Sequence, residues 1–403
     1  MKLLVTADVF FPDTVGGAGR VAYQLSHTLA ERQHEIHVLS RNIGGHSPCY
    51  QRLEPNLFVH RFPTPSKESL RLLIGETKNS YIAARELSLR YGFDCICAHQ
   101  SLATLAPLLC RRLRDLPMTF LFHSPWHEEY LVKKRPGAGL FERFVASCMK
   151  RVEGQVLIKA SKIFVLSRYM QEKLRLLHHI PEAKTVITPG GVDLDRFTLP
   201  ANGKAKAKRF LAGPSDKTVF LTIRNLVPRM GIENLIEAFK ASDLLRGKGL
   251  LFIGGEGFLK APLRHSIEKH ALERSIRLLG RIPEEDLASY YQAADFFLLP
   301  TRELEGFGLV ILEAMASGTP VLGTPVGAIP ETIRLFDGNL LFEGTRHEDI
   351  RAKLEDVVQR PEKYRFDPES CRRFVVERYS WEKMAAAFEQ EMIKLVELKP
   401  ANA

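Results

Sequence analysis

The stretch from Glu305 to Val321 narrows the folds open to this chain more than any other. It follows an apolar run, Ala294-Asp-Phe-Phe-Leu-Leu-Pro300, which reads as a buried parallel strand. Gly306 and Gly308 punctuate a tight loop. Leu309 to Ala316 then carries apolar residues at helical spacing, until Gly318-Thr-Pro320 stops the helix before the next apolar run. The order is strand, glycine loop, helix. Free N–H groups and the positive dipole end of such a helix suit a phosphate. Glu305 stands at the mouth of the loop, and Glu313 lies eight residues on, inside the helix. An ionised carboxylate only accepts hydrogen bonds, so two of them beside a phosphate cradle point to sugar hydroxyls.

The same layout recurs along the chain. Leu3–Ala7, Glu35–Leu39, Leu57–Phe62, Cys95–Ala98, Met118–Phe122, Lys162–Leu166 and Thr185–Ile187 are predicted strands. They alternate with predicted helices at Gly19–Glu31, Glu68–Tyr91, Leu102–Arg114, Leu140–Ala160 and Ser167–His178. Strands at Thr218–Ile223, Gly249–Gly254, Ile276–Leu279, Asp295–Leu299, Val321–Gly323 and Asn339–Phe342 alternate with helices in the second half. Such alternation means parallel sheets covered by helices on both faces, with ligands at the carboxyl ends of the strands. At 403 residues the chain is too long for one ordinary core, so two α/β domains are expected. The small, polar stretch Leu199–Lys208 has the composition of a linker between them.

A Glu, seven residues and a second Glu, with Gly-Phe-Gly after the first and Ala-Met-Ala-Ser-Gly-Thr-Pro-Val after the second, resembles the donor site of retaining glycosyltransferases of family 4. The resemblance implies GT-B: two Rossmann-like domains with parallel sheets facing across a cleft. It puts an acceptor-binding domain at 1–198 and a nucleotide-sugar donor-binding domain at 209–380. It also implies a helix at about 381–398 that packs back on the first domain. Glu305 would hold the donor sugar. Gly306, Phe307, Gly308, the N–H groups of Leu309 and Val310, and Glu313 would hold the nucleotide diphosphate and ribose. Ile282, after Leu279-Gly-Arg281, would pair with the base through its backbone.

Two loops extend the resemblance. After the first strand, Gly16 and Gly17 resemble the family's Gly-Gly loop, which comes up against the donor's phosphate or sugar; glycines between strand and helix permit close approach of a ligand. His123, at the carboxyl end of Met118–Phe122, resembles the active-site histidine of the first domain. The loop Arg224-Asn225-Leu-Val-Pro-Arg229-Met230-Gly231 departs from the pattern. The family usually carries Arg and Lys where this chain has Asn225 and Met230, and Arg224 and Arg229 each sit one position earlier. Either the two arginines take over the neutralisation of the diphosphate, or the site is altered. His127-Glu-Glu-Tyr-Leu131 is not a His-Glu-x-x-His zinc pattern, and Asp193-Leu-Asp195 reads as turn and capping chemistry, so no metal and no cofactor beyond the donor are expected.

Charge speaks to partners. Of the net +10, +9 resides in residues 1–200, which hold 27 Lys/Arg against 18 Asp/Glu, whereas the remainder is nearly balanced. Clusters such as Arg111–Arg114 and Lys133–Arg135 fit contact with an anionic membrane, an anionic acceptor, or plain solvated surface. They lack the interleaved aromatics of a nucleic-acid surface. No run of eighteen apolar residues is present, and of the six scattered cysteines only Cys95 and Cys97 are close, which fits reduced thiols and a cytoplasmic enzyme, or one peripheral at the inner membrane face. The expected activity is retaining transfer of a hexosyl-type sugar from a nucleoside-diphosphate sugar to a glycan or lipid-linked acceptor. A sugar-nucleotide epimerase of the same fold and a non-catalytic binder are the alternatives.

Overall fold

The computed structural model describes residues 1–398, apart from 14–15, 44, 46, 65–69, 135–136, 138 and 214–215. The beginning of the helix expected from Glu68, and Arg135 of the basic cluster, lie outside the described residues. Contacts divide the chain into two units: Met1–Gly190 together with the segment from Trp381 onward, and Gly191–Ser380.

The first unit holds strands β1 (Lys2–Ala7), β2 (Glu35–Asn42), β3 (Tyr50–Glu54), β4 (Leu57–Pro63), β5 (Cys95–Ala98), β6 (Met118–Phe122), β7 (Lys162–Val165) and β8 (Thr185–Ile187). They form one sheet in the order β3-β4-β2-β1-β5-β6-β7-β8. All neighbours run parallel except the antiparallel edge pair β3 and β4. The central strands are buried along nearly their whole length, as a sheet covered on both faces requires. β3 was not expected. Its residues, Tyr-Gln-Arg-Leu-Glu, are half-buried or exposed, so an edge strand leaves no apolar run to read.

The second unit holds β9 (Thr218–Ile223), β10 (Gly249–Gly254), β11 (Ile276–Gly280), β12 (Phe296–Leu299) and β13 (Val321–Gly323), ordered β11-β10-β9-β12-β13 and parallel throughout. The strand expected at Asn339–Phe342 is instead a 3-10 turn, Gly338–Leu340, followed by a single bridge from Leu341 to Gly323. Asp337 accepts the Asn339 N–H and winds the chain there. The expected helix at Leu102–Arg114 stops at Leu109, just after Pro107, which cannot donate to the preceding turn.

The expected linker is also corrected. Lys204–Ala212 is a helix, and the units part at Gly190, earlier than 198. Residues 193–199 belong to the second unit: Phe197 meets Tyr291 edge-on, Arg196 pairs with Glu284, and Arg372 donates to the Leu194 carbonyl. Asp193 caps the turn by accepting the N–H groups of Asp195 and Arg196.

The helix Trp381–Glu397 packs on the first unit. Phe388 stacks on Phe164 of β7 with ring centroids 3.6 Å apart, and both are fully buried. Burying a side chain of this size is worth about 1.5–3 kcal/mol. Glu389 adds ion pairs to Arg32 and His34.

Candidate functional site

In the second sheet the strand order reverses between β9 and β12, and ligands of such sheets bind outside the carboxyl ends of the strands at that place. β9 delivers Arg224 there and β12 delivers the loop to Glu305. Arg224 Nη2 donates to Glu305 Oε2 at 2.5 Å, with both side chains about nine-tenths buried. Thr301 Oγ1 donates to the same oxygen at 3.3 Å. Both donors use Oε2, and a carboxylate offers about four acceptor positions, so Oε1 retains capacity for a hydroxyl. The Met230 sulfur accepts from Arg224 Nη2 at 2.9 Å, which fixes the guanidinium from its other side. Met230 is itself buried and Asn225 is exposed. Arg229 Nη1 donates to the Leu304 carbonyl at 2.9 Å, and the Arg302 N–H returns a bond to the Arg229 carbonyl. This clasp holds Leu304 at φ 56, a left-handed conformation uncommon for a residue with a branched side chain.

Two glycines make the arrangement possible. Gly255 (φ 127) lies so close to Arg224 that a Cβ would fall 1.9 Å from the Arg224 carbonyl oxygen. Gly327 (φ 60) packs on Glu305 in the same way, at 2.2 Å, and the Ala328 N–H bonds the Glu305 carbonyl. The backbones carrying the ion pair are thus each pressed by a neighbouring turn.

Gly308, at φ 87, caps the helix Leu309–Ala316, whose first turn has no acidic residue and no side-chain cap. Leu309 and Val310 stand half-buried at its start. Phe307 is buried near Tyr379, and Gly306 is half-buried. Glu313 is 7 % exposed and accepts the Tyr291 hydroxyl at 2.8 Å through Oε2. Tyr291 is fully buried against Phe297, so Glu313 is anchored from the interior. Ile282 is buried too, with its side chain over Gly254.

In the first unit His123 follows β6 and His99 follows β5. Their rings stack at 5.4 Å, with His99 Nδ1 3.2 Å from His123 Nε2. Burial pushes His123 down to about 4, and pushes His99, which also faces His123, well below the usual range. Both rings are therefore neutral at neutral pH; one nitrogen donates and the other accepts, so the two tautomers are linked. Asp8, just after β1, is raised to about 6 by burial, with Arg41 opposing and Glu76 adding to the rise; its Oδ1 is buried without a hydrogen-bond partner. Gly16 and Gly17 begin the helix Gly17–Glu31, and a Cβ at either would touch nothing within 4 Å.

Family models match both units: "Glycosyl transferases group 1" over residues 203–381 and "Glycosyltransferase Family 4" over residues 15–196. The chain belongs to the group 1, family 4 glycosyltransferases. Its fold is that of GT-B members: sucrose-phosphate synthase from Thermosynechococcus elongatus superposes with TM-score 0.83 at 22% identity, covering 98% of this chain and 99% of that one. Among curated glycosyltransferases, the GDP-mannose-dependent monoacylated alpha-(1-6)-phosphatidylinositol monomannoside mannosyltransferase of Corynebacterium glutamicum is 32% identical over 49% of this chain, a match spanning only 52% of that protein. The D-inositol 3-phosphate glycosyltransferase of Geodermatophilus obscurus is 27% identical over 86% of this chain and 78% of its own length.

Other polar residues of this glycosyltransferase escape a reading by sequence. His99 and Asp8 each follow a buried strand directly, the one signal that marks them. A third group has none. His127, Glu153 and His178 converge from three helices, Trp126–Lys134, Leu140–Lys159 and Arg168–His178, of which the first was not expected. The two neighbouring imidazoles and a hydrogen bond from the Trp126 N–H outweigh the cost of burial and hold Glu153 below the usual carboxylate range.

Proposed function

We propose that this chain is a retaining hexosyltransferase that takes a nucleoside-diphosphate sugar on its second unit and passes the sugar to an anionic or lipid-linked acceptor held by its first. The buried Arg224–Glu305 pair beside the start of the helix Leu309–Ala316 carries this reading. A guanidinium has five N–H donors, and Arg224 spends only some of them on Glu305 and Met230. The rest, with Arg229 and the Leu309 and Val310 N–H groups, face a departing diphosphate in this scheme. Glu305 Oε1 accepts a donor-sugar hydroxyl, Glu313 a ribose hydroxyl, and Ile282 lies by the base. The acceptor hydroxyl attacks the anomeric carbon on the face the diphosphate leaves, and a diphosphate oxygen takes its proton. The protein then acts by charge stabilisation and positioning, with neutral His123 as the first unit's donor or acceptor toward the sugar.

The activities named for the similar mannosyltransferase and inositol phosphate glycosyltransferase favour GDP-mannose as the first donor to try and inositol phosphates or phosphatidylinositol glycans as acceptors. The basic excess of residues 1–200 complements such acceptors. Exposed Leu140, Phe141 and Phe144 offer apolar contact with an anionic bilayer, with exposed Arg143 on the same helix. No helix among the described residues is long and apolar enough to cross one. The test is thermal unfolding with GDP, UDP and ADP, followed by turnover with the matching sugar nucleotide. One diphosphate should raise the midpoint, because a ligand of the native state alone stabilises it. No shift with any of them sinks the donor assignment. Nucleotide release or an epimerised sugar without acceptor favours the epimerase. Asn225 and Met230, standing where the family resemblance implies Arg and Lys, favour one second reading, a non-catalytic binder, which would show the shift and no transfer across the acceptor panel.

A further inference from the structure

His127 Nδ1 and His178 Nε2 lie 3.6 Å and 2.9 Å from one oxygen, Glu153 Oε2, and one ligand atom from each residue lies within 4.8 Å of the other two. The second Glu153 oxygen accepts the Trp126 N–H at 3.1 Å, which turns Oε2 toward the imidazoles. The rings meet edge to face, and glycine at 154 leaves room for His178: a Cβ there would come within 3.3 Å of His178 Nδ1. A triad held by hydrogen bonds alone would engage both histidines. Here His178 is bonded, whereas His127 Nδ1 is buried and has no hydrogen-bond partner. A ring nitrogen removed from water and left without a partner destabilises the fold. That nitrogen points at a missing partner which Oε2 and Nε2 can share.

We propose that His127, Glu153 and His178 bind a divalent transition-metal ion, zinc above all, as a clasp across the three helices of the first unit. Two imidazoles and one carboxylate are a borderline donor set of the kind zinc takes at about 2.0–2.2 Å, and magnesium or calcium would demand more oxygens. Three protein ligands leave a fourth position for water. The Trp126 N–H supplies the outer hydrogen bond that orients the carboxylate. The ion is structural in this proposal and has no part in the transfer step. By pinning His127 it fixes the beginning of the helix that follows His123, so the consequence for the proposed active site is positional.

The test uses the full chain without an affinity tag, stripped by a chelator and titrated with zinc alone. Calorimetry should give one equivalent bound, and thermal unfolding should shift upward by several degrees and return on chelation. A chain with His127→Gln and His178→Gln together should keep its circular dichroism and lose at least tenfold in zinc affinity. Cobalt in the unsubstituted chain should give the visible bands of a four-coordinate site with nitrogen and oxygen ligands, a readout that holds even where the double variant does not fold. No zinc bound, equal affinity in the folded double variant, or a sulfur-to-cobalt charge-transfer band marking cysteine ligands would overturn the proposal.

Discussion

The glycine loops that follow buried strands in the two units look alike in sequence and differ in kind. Gly255 and Gly327 in the second unit are demanded by the chain itself: a methyl group at either would strike a carbonyl oxygen of Arg224 or Glu305. Gly16 and Gly17 in the first unit face no such obstacle. Gly16 has extended backbone that any residue adopts, and Gly17 opens a helix. One pair of glycines therefore holds the backbones of Arg224 and Glu305 in place, and the other borders open space. Sequence alone shows both as glycines after a buried strand.

That contrast breaks if Gly327→Ala is tolerated. With a contact of 2.2 Å and positive φ, the substitution should cost about 4 kcal/mol or more and lower the denaturant midpoint of the second unit. Glu305→Ala should come next. It strands Arg224 in the interior, at a cost of about 3 kcal/mol in chemical denaturation. Turnover should fall about a hundredfold, because a preorganised charge is lost.

Acid should single out the first unit. Burial holds His60 and His123 near 4 and lowers His37 and His99, so the folded chain keeps these rings neutral while the unfolded chain takes up protons below about 6.5. Their stability is present above that value and is lost as pH falls toward 4, by up to about 1.4 kcal/mol per pH unit for each ring. Asp8, raised to about 6, runs the other way: its contribution is present at low pH and is lost as pH rises through 6. With four rings against one carboxyl, hydrogen exchange at pH 5 should show β1 to β8 loosening before β9 to β13; the reverse order would refute this. The smallest change in stability is expected for Gly17→Ala, neutral or stabilising by about 0.4–1 kcal/mol. If those glycines make room for a ligand, the same substitution raises KM.

Where burial and periodicity agree, the elements are legible to the residue. β9, β10, β13 and the helix Leu309–Ala316 have the bounds their apolar runs predict. The failures share a cause, polar residues acting through partners far along the chain. Lys204–Ala212 looks like a solvated linker, yet Lys204 is half-buried and donates to Thr319, withdrawal from water lowers its ammonium to about 8, and Lys208 pairs with Asp295. Glu305 stood out as a candidate from its own loop; its tie to Arg224, 81 residues away, was not legible. Arg224 and Arg229 were legible as cations. That one would be braced by a methionine sulfur and the other spent on the Leu304 carbonyl follows from packing alone. His99, Asp8 and the His127–Glu153–His178 group lie outside any local motif, because strand order and helix packing assemble them.

The stacking of Phe388 on Phe164 sets the order in which the protein can be completed during synthesis. The second unit is one uninterrupted segment, whereas the first must wait for a helix translated after the whole of its neighbour. Until the ribosome has released that helix, the ring of Phe164 and the side chains of Arg32 and His34 stand without the phenylalanine and glutamate that finish them. A nascent chain arrested after Ser380 should therefore carry a finished second unit and a sticky, unfinished first unit, a natural client for a chaperone.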